Sequence, residues 1–180
     1  MNTTITIVAV VAVIAIAAAL LYPRTVGAQP QEGEPAPAFS LLDQNNERHT
    51  LEDYAGKWLV LYFYPKADTP GCTTEACNFR DDIFRFRAMG ASIVGVSLDD
   101  VESQQAFAEK YSLPFPLLSD AGKEMSTAYG VLTARGPIEY AKRETFIIAP
   151  DGTIAKHYGS VNADTHSAQV LGDLTGLMGE

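Results

Sequence analysis

From Phe39 onward the chain breaks into short apolar blocks set off by polar turns. "KWLVLYFY" (57–64) is a nearly continuous apolar run, the pattern of a strand covered on both faces. "SIVGVSL" (92–98) is a second such strand. Between them Ala76, Phe79, Ile83 and Phe86 recur at three- and four-residue steps, which predicts one helix from about Cys72 to Ala88, stopped by Gly90. Asp99 with Glu102 resembles a capping box opening a helix to about Tyr111. "SLLDQNNERHTL" reads as a hairpin, "FPLLSD" as a short strand, and 123–129 as a helical turn or two. "ETFIIAPDGTIAKHY" (144–158) is a hairpin about Pro-Asp-Gly, and a last helix starts near Asn162 or Asp164. Strands alternating with helices before a terminal hairpin predict an α/β fold, a mixed central sheet covered by helices on both faces. No internal repeat or second domain is visible.

The N-terminus follows a different rule. Residues 5–22, "ITIVAVVAVIAIAAALLY", carry two hydroxyls, on Thr6 and Tyr22, and no charge. As a helix they would rise roughly 27 Å, close to the thickness of a bilayer core. The expectation is a membrane anchor. Cleavage after "VGA" (26–28) as a signal segment is the alternative, although no Lys or Arg precedes the run. The organisation expected is therefore 1–28 anchor or signal, 29–38 Pro-rich tether and 39–180 the α/β domain. The location expected is the membrane, through one N-terminal helix, or the cell envelope if the segment is removed.

Net charge narrows the partners. With 13 Lys and Arg against 22 Asp and Glu, the net charge is −9, and no basic cluster is present. Nucleic acid is not an expected partner. His49, His157 and His166 are scattered and never join the cysteines at ligand spacing, so they read as surface or satisfied histidines and no metal is expected.

The chemistry is concentrated in "YFYPKADTPGCTTEACNFRD" (62–81), which holds both cysteines of the chain, Cys72 and Cys77. Cys72 should open a helix at the end of a strand, where ligand sites of open α/β sheets gather. Free backbone N–H groups and the helix dipole favour a thiolate at that place. Residues five apart on an intact helix have Cα atoms roughly 8.6 Å apart and about 140° apart around the axis. A disulfide needs less than about 7 Å, so the pair can bond only if the helix start unwinds. That suits a catalytic cycle better than a permanent staple. Thr69, three residues before Cys72, is either a turn residue or a holder of substrate oxygen. Arg143 closes "YAKR" just before a buried strand, where a charge is costly unless paired.

The same string resembles the active-site segment of the peroxiredoxins, in particular the peroxiredoxin Q or bacterioferritin-comigratory-protein group. Pro65, Thr69 and Cys72 meet the group's Pro-x-x-x-Thr-x-x-Cys pattern. The likeness continues through "GEPAPAFSLLDQ", "VGVSLDD", "YSLPFPLLSD", "YGV" and "RETFIIAPDGTI", from about Gly33 to the C-terminus. It implies a thioredoxin-like fold and a thiol peroxidase needing no metal or flavin cofactor. By matched position, Cys72 would be the peroxidatic cysteine and Cys77 the resolving one. Thr69 and Arg143 would hold the peroxide, and Pro65 would shape the pocket. The resemblance also implies a peroxide substrate and a thioredoxin-like reductant; a monomer is expected, with a dimer as the alternative.

Two rivals remain at this point. A membrane-tethered thiol–disulfide oxidoreductase shares the fold but would need Cys-x-x-Cys, whereas four residues separate Cys72 from Cys77. A non-enzymatic binding module would leave the reactive junction without a purpose.

Overall fold

The computed structural model describes residues 28–179. The chain enters through β1 (Ser40–Leu42) and β2 (Arg48–Thr50), a hairpin followed by a 3-10 turn at Leu51–Tyr54. β3 (Trp58–Phe63) leads into α1 (Pro70–Asp81) and α2 (Ile83–Ala88), then β4 (Ala91–Ser97) and α3 (Val101–Tyr111). β5 (Leu117–Ser119), α4 (Glu124–Ala128) and the small hairpin β6 (Leu132–Arg135) and β7 (Ile138–Ala141) follow. β8 (Glu144–Ile148), β9 (Ile154–Tyr158) and α5 (His166–Gly179) complete the fold.

Seven strands form one sheet in the order β2-β1-β5-β4-β3-β8-β9. The central β3, β4 and β5 are parallel, and β1, β8 and β9 are antiparallel to their neighbours, so the sheet is mixed. The expected α/β architecture, thioredoxin-like with both faces covered, is the one observed.

β3 shows why its run is apolar throughout. Val60, Tyr62 and Tyr64 pack with α1, α2, α3 and α5 on one face. Leu59, Leu61 and Phe63 point the other way, against Phe39, Met125, Tyr129 and Phe146. Strand periodicity thus serves two cores at once. Gly95 of β4 makes the first core possible: a Cβ there would sit 2.7 Å from Cζ of Tyr62.

Two boundaries differ from expectation. The single helix 72–88 is two helices broken at Asp82, whose backbone takes a turn conformation (φ −90, ψ 1). Asp82 also binds Arg85 and accepts a bond from Ser167 of α5, so a tertiary contact fixes the break. The cap of α3 is Asp100, which accepts from the Ser103 amide; Asp99 is turned inward instead.

The segment 29–38, read as a tether, runs along the β8–β9 hairpin. The Gly33 amide donates to Ile154 at 2.8 Å, and Gln29 bonds Glu144 and His157. The hydrophobic run 5–22 lies outside the described residues. Among the described residues no helix is long and apolar enough to cross a membrane.

Candidate active site

The site forms where β3 ends and β8 begins. These strands are antiparallel neighbours with Phe63 opposite Glu144, so Arg143 and the turn after β3 leave the sheet side by side. The turn runs through half-buried Pro65 to Thr69, and Pro70 starts α1 with its φ already helical and no N–H to strand. Cys72 follows in the first turn, where α1 still has unpaired backbone amides.

Cys72 is 1% exposed, while Cys77 is half-buried; both are free thiols in one helix. Arg143 reaches the sulfur of Cys72 with Nη2 at 3.1 Å, and its Nη1 pairs with the Glu75 carboxylate and approaches the Gly71 carbonyl at 3.4 Å. Glycine at 71 gives the guanidinium room, since a Cβ would lie 3.2 Å from Nη2. Arg143 is therefore the paired strand-end cation, not a solvated one. Burial works against its charge, yet Glu75 and Cys72 beside it hold its pKa above the ordinary value.

Thr69 makes no side-chain cap bond. Its hydroxyl donates to the Lys66 carbonyl at 2.8 Å, leaving only acceptor capacity on that oxygen. The residues singled out in sequence, Pro65, Thr69, Cys72 and Arg143, thus converge on one junction. Cys77 lies further along the same helix.

Three neighbours of the site were not visible in advance. Glu75 is fully buried; burial pushes its carboxyl up to about 7 against the pull of Arg143. Its Oε1 and the hydroxyl of Tyr62 are buried without a partner among the described residues. The signal for Glu75 was a carboxylate next to Ala76, within the apolar stripe of α1. Asp99 is the third, below the turn that carries Thr69.

A sheet of this order, with a buried thiol at a helix start facing an arginine, defines a thioredoxin-like thiol-dependent oxidoreductase. The profile of the AhpC/TSA family matches residues 33–157. The chain belongs to that family, as a peroxiredoxin of the Bcp/Q kind and hence a thiol-dependent peroxidase. Peroxiredoxin Bcp of Bacillus subtilis is 42% identical over 143 residues, covering 77% of this chain and 91% of the relative. A Coxiella burnetii protein named as a peroxiredoxin of the bcp kind is 41% identical over 146 residues, 79% of this chain and 97% of its own. The crystal structure of peroxidoxin BcpB from Mycobacterium tuberculosis superposes with a TM-score of 0.78 at 36% identity, over 83% of this chain and 99% of that one.

The expected location is corrected by these relatives. The Coxiella burnetii protein is accounted for over 97% of its length by the shared domain, which leaves it no room for a hydrophobic anchor of this size. The membrane location and membrane partner rested on 5–22 alone, outside the domain matched at 33–157. The tethered oxidoreductase falls with them.

Proposed function

We propose that this peroxidase reduces hydrogen peroxide and organic hydroperoxides by attack of the Cys72 thiolate on the terminal peroxide oxygen. The observation that carries the reading is the Arg143 guanidinium 3.1 Å from the Cys72 sulfur, at a helix start. The sulfur–oxygen bond forms as the oxygen–oxygen bond breaks. The leaving oxygen takes a proton and departs as water or an alcohol, and Cys72 becomes a sulfenic acid.

Thr69 orients the substrate by accepting a bond from the peroxide O–H, because its own proton is committed to Lys66. Arg143 stabilises negative charge on the sulfur and then on the leaving oxygen. Pro65 shapes the wall of the pocket. The Cys77 thiol next displaces hydroxide from the sulfenic acid, giving an intramolecular disulfide and water. A dithiol protein such as thioredoxin returns both thiols by exchange.

The test is peroxide consumption by the full chain with a thioredoxin system. Cys72→Ser should lose even the first equivalent. Thr69→Val and Arg143→Ala should each slow the first step by about 10²–10³ without unfolding the domain. Stoichiometric peroxide reduction by Cys72→Ser overturns the assignment, and wild-type rates in the other two return them to structural roles.

A further inference from the structure

Below the turn that carries Thr69 lies a polar network with no part in the steps above. Asp99, its side chain 1% exposed, accepts the Ala67 amide at 2.8 Å and the Ser97 hydroxyl at 2.8 Å, both on Oδ2. Its other oxygen takes the Lys66 ammonium. The Ser97 oxygen in turn accepts from Gln104 Nε2 at 2.9 Å, and the Gln104 carbonyl oxygen accepts the hydroxyl of Tyr64. Gln104 also donates to the Leu118 carbonyl at 3.0 Å. Ser97, Gln104 and Tyr64 are fully buried. The network therefore grips the chain on both sides of Pro65, at Tyr64 and at Lys66–Ala67.

The grip continues into the site. The Lys66 carbonyl, one residue before the held amide, accepts the Thr69 hydroxyl, and the Thr69 carbonyl accepts the Thr73 amide of α1 at 2.8 Å. Asp68, between them, has a left-handed backbone (φ 57) and is tied separately to Lys110 and Tyr111 at the end of α3. A turn with a non-glycine residue in that conformation needs its neighbours to hold it.

We infer that Asp99 is a positioning residue for peroxide reduction: through the Ala67 amide and the Lys66 carbonyl it sets where the Thr69 hydroxyl points. The inference rests on the reading that Thr69 orients the peroxide. The working part is the buried acceptor rather than the ion pair, because Lys66 is 65% exposed and solvent weakens its contribution. Loss of the acceptor leaves an amide and a buried hydroxyl without their partner, and the turn can relax. A displacement of about 1 Å at an orienting group costs on the order of 10²-fold in rate.

The test compares two reactions of Cys72, measured in a Cys77→Ser background so that only one thiol reports. Oxidation by hydrogen peroxide needs the oriented Thr69 hydroxyl; alkylation by iodoacetamide needs only an accessible thiolate. Asp99→Ala should slow oxidation about 10–100-fold while alkylation stays within about twofold. Asp99→Asn should recover part of the loss, since its amide oxygen still accepts the Ala67 amide. Lys66→Ala should oxidise within about threefold of the parent. Parent oxidation rates in Asp99→Ala overturn the inference, as does a parallel fall in both reactions, which marks a general collapse of the pocket. Should Asp99→Ala fail to fold, Asp99→Leu, which keeps the branched shape without an acceptor, decides: several-fold slower oxidation with unchanged alkylation supports the role, and equal rates overturn it. Thr69→Val is the control on the underlying reading. If it oxidises at the parent rate, the Thr69 assignment fails and the role of Asp99 falls with it.

Discussion

Arg143 and Cys72 stand 71 residues apart in sequence and 3.1 Å apart in space, Nη2 to Sγ. One guanidinium serves the Cys72 sulfur with one nitrogen and the buried Glu75 carboxylate with another. The sulfur and the carboxylate therefore share a single cation, and several consequences of that arrangement can be measured.

Glu75 should act on the first step only through Arg143. Glu75→Ala removes the partner that fixes the guanidinium plane and should slow peroxide reduction about 10–100-fold. Glu75→Gln keeps an acceptor of the same shape and should recover most of that rate. Stopped-flow oxidation of Cys72 distinguishes them; equal rates in the two variants would show that charge, not orientation, is what Glu75 supplies.

Glu75 and a second buried group, His166, whose Nε2 lies 2.8 Å from the Thr145 hydroxyl oxygen, shape the pH dependence of stability. Burial holds His166 down to about 4, from 6.5, and raises Glu75 from 4.5 to about 7. Between about pH 4.5 and 6.5 the unfolded chain binds a proton at His166 that the folded one does not. The stability that neutral His166 carries is complete above the unfolded value and is lost as pH falls through the folded one. Glu75 runs oppositely: the folded chain keeps a proton that the unfolded one releases, so stability falls as pH rises through the same window. Relative to wild type, Glu75→Gln should gain stability as pH rises across that window and His166→Gln should lose it, each by up to about 1.4 kcal/mol per pH unit. Urea denaturation at several pH values reads both slopes. Parallel profiles in the three proteins would remove the argument.

Cys77→Ser should reduce one equivalent of peroxide and then stall. Without the second thiol the sulfenic acid persists and becomes open to sulfinic oxidation. Intact-protein mass spectrometry should show additions of one and then two oxygens. Continued turnover of this variant with thioredoxin would assign resolution elsewhere.

Disulfide formation should loosen only the front of α1. The rear is held by Phe79, which is fully buried, by Asn78 donating to Ala163 at 3.0 Å and by Arg80 donating to Tyr111 at 2.8 Å. Amide exchange should quicken over 70–77 in the oxidised protein and stay slow over 78–81. Equal protection of the front in both redox forms would mean that bonding needs no unwinding.

The sequence made the active-site junction legible because its signals are local. An apolar run ending in a Pro/Gly turn, followed by a helical stripe, places Cys72 at a strand-to-helix transition without any long-range information. Arg143 could be suspected from the cost of a charge beside a buried strand. What stayed hidden was decided by tertiary contacts. The apolar stripe of Phe79, Ile83 and Phe86 runs unbroken across Asp82, so periodicity could not see the break that Ser167 and Arg85 stabilise. Asp99 and Asp100 are adjacent and chemically identical; only the fold makes one a cap and the other an inward acceptor. The β6–β7 hairpin escaped for another reason. Its strands are four residues each, and the tip around Gly136 is exposed, so no alternation announces it.

The pairing of Phe63 with Glu144 has a wider meaning. Backbone hydrogen bonds of the sheet, spaced about 4.8 Å from strand to strand, set the separation between the thiol's exit and the cation's. Much of the loop sequence between Cys72 and Arg143 is, for this purpose, a detour. Loops on that detour can lengthen or shorten without disturbing the chemistry, whereas a one-residue slip of a single strand would turn Arg143 to the opposite face. The spacing of the two exits is thus calibrated by a main-chain ruler, and side chains only aim what stands on it.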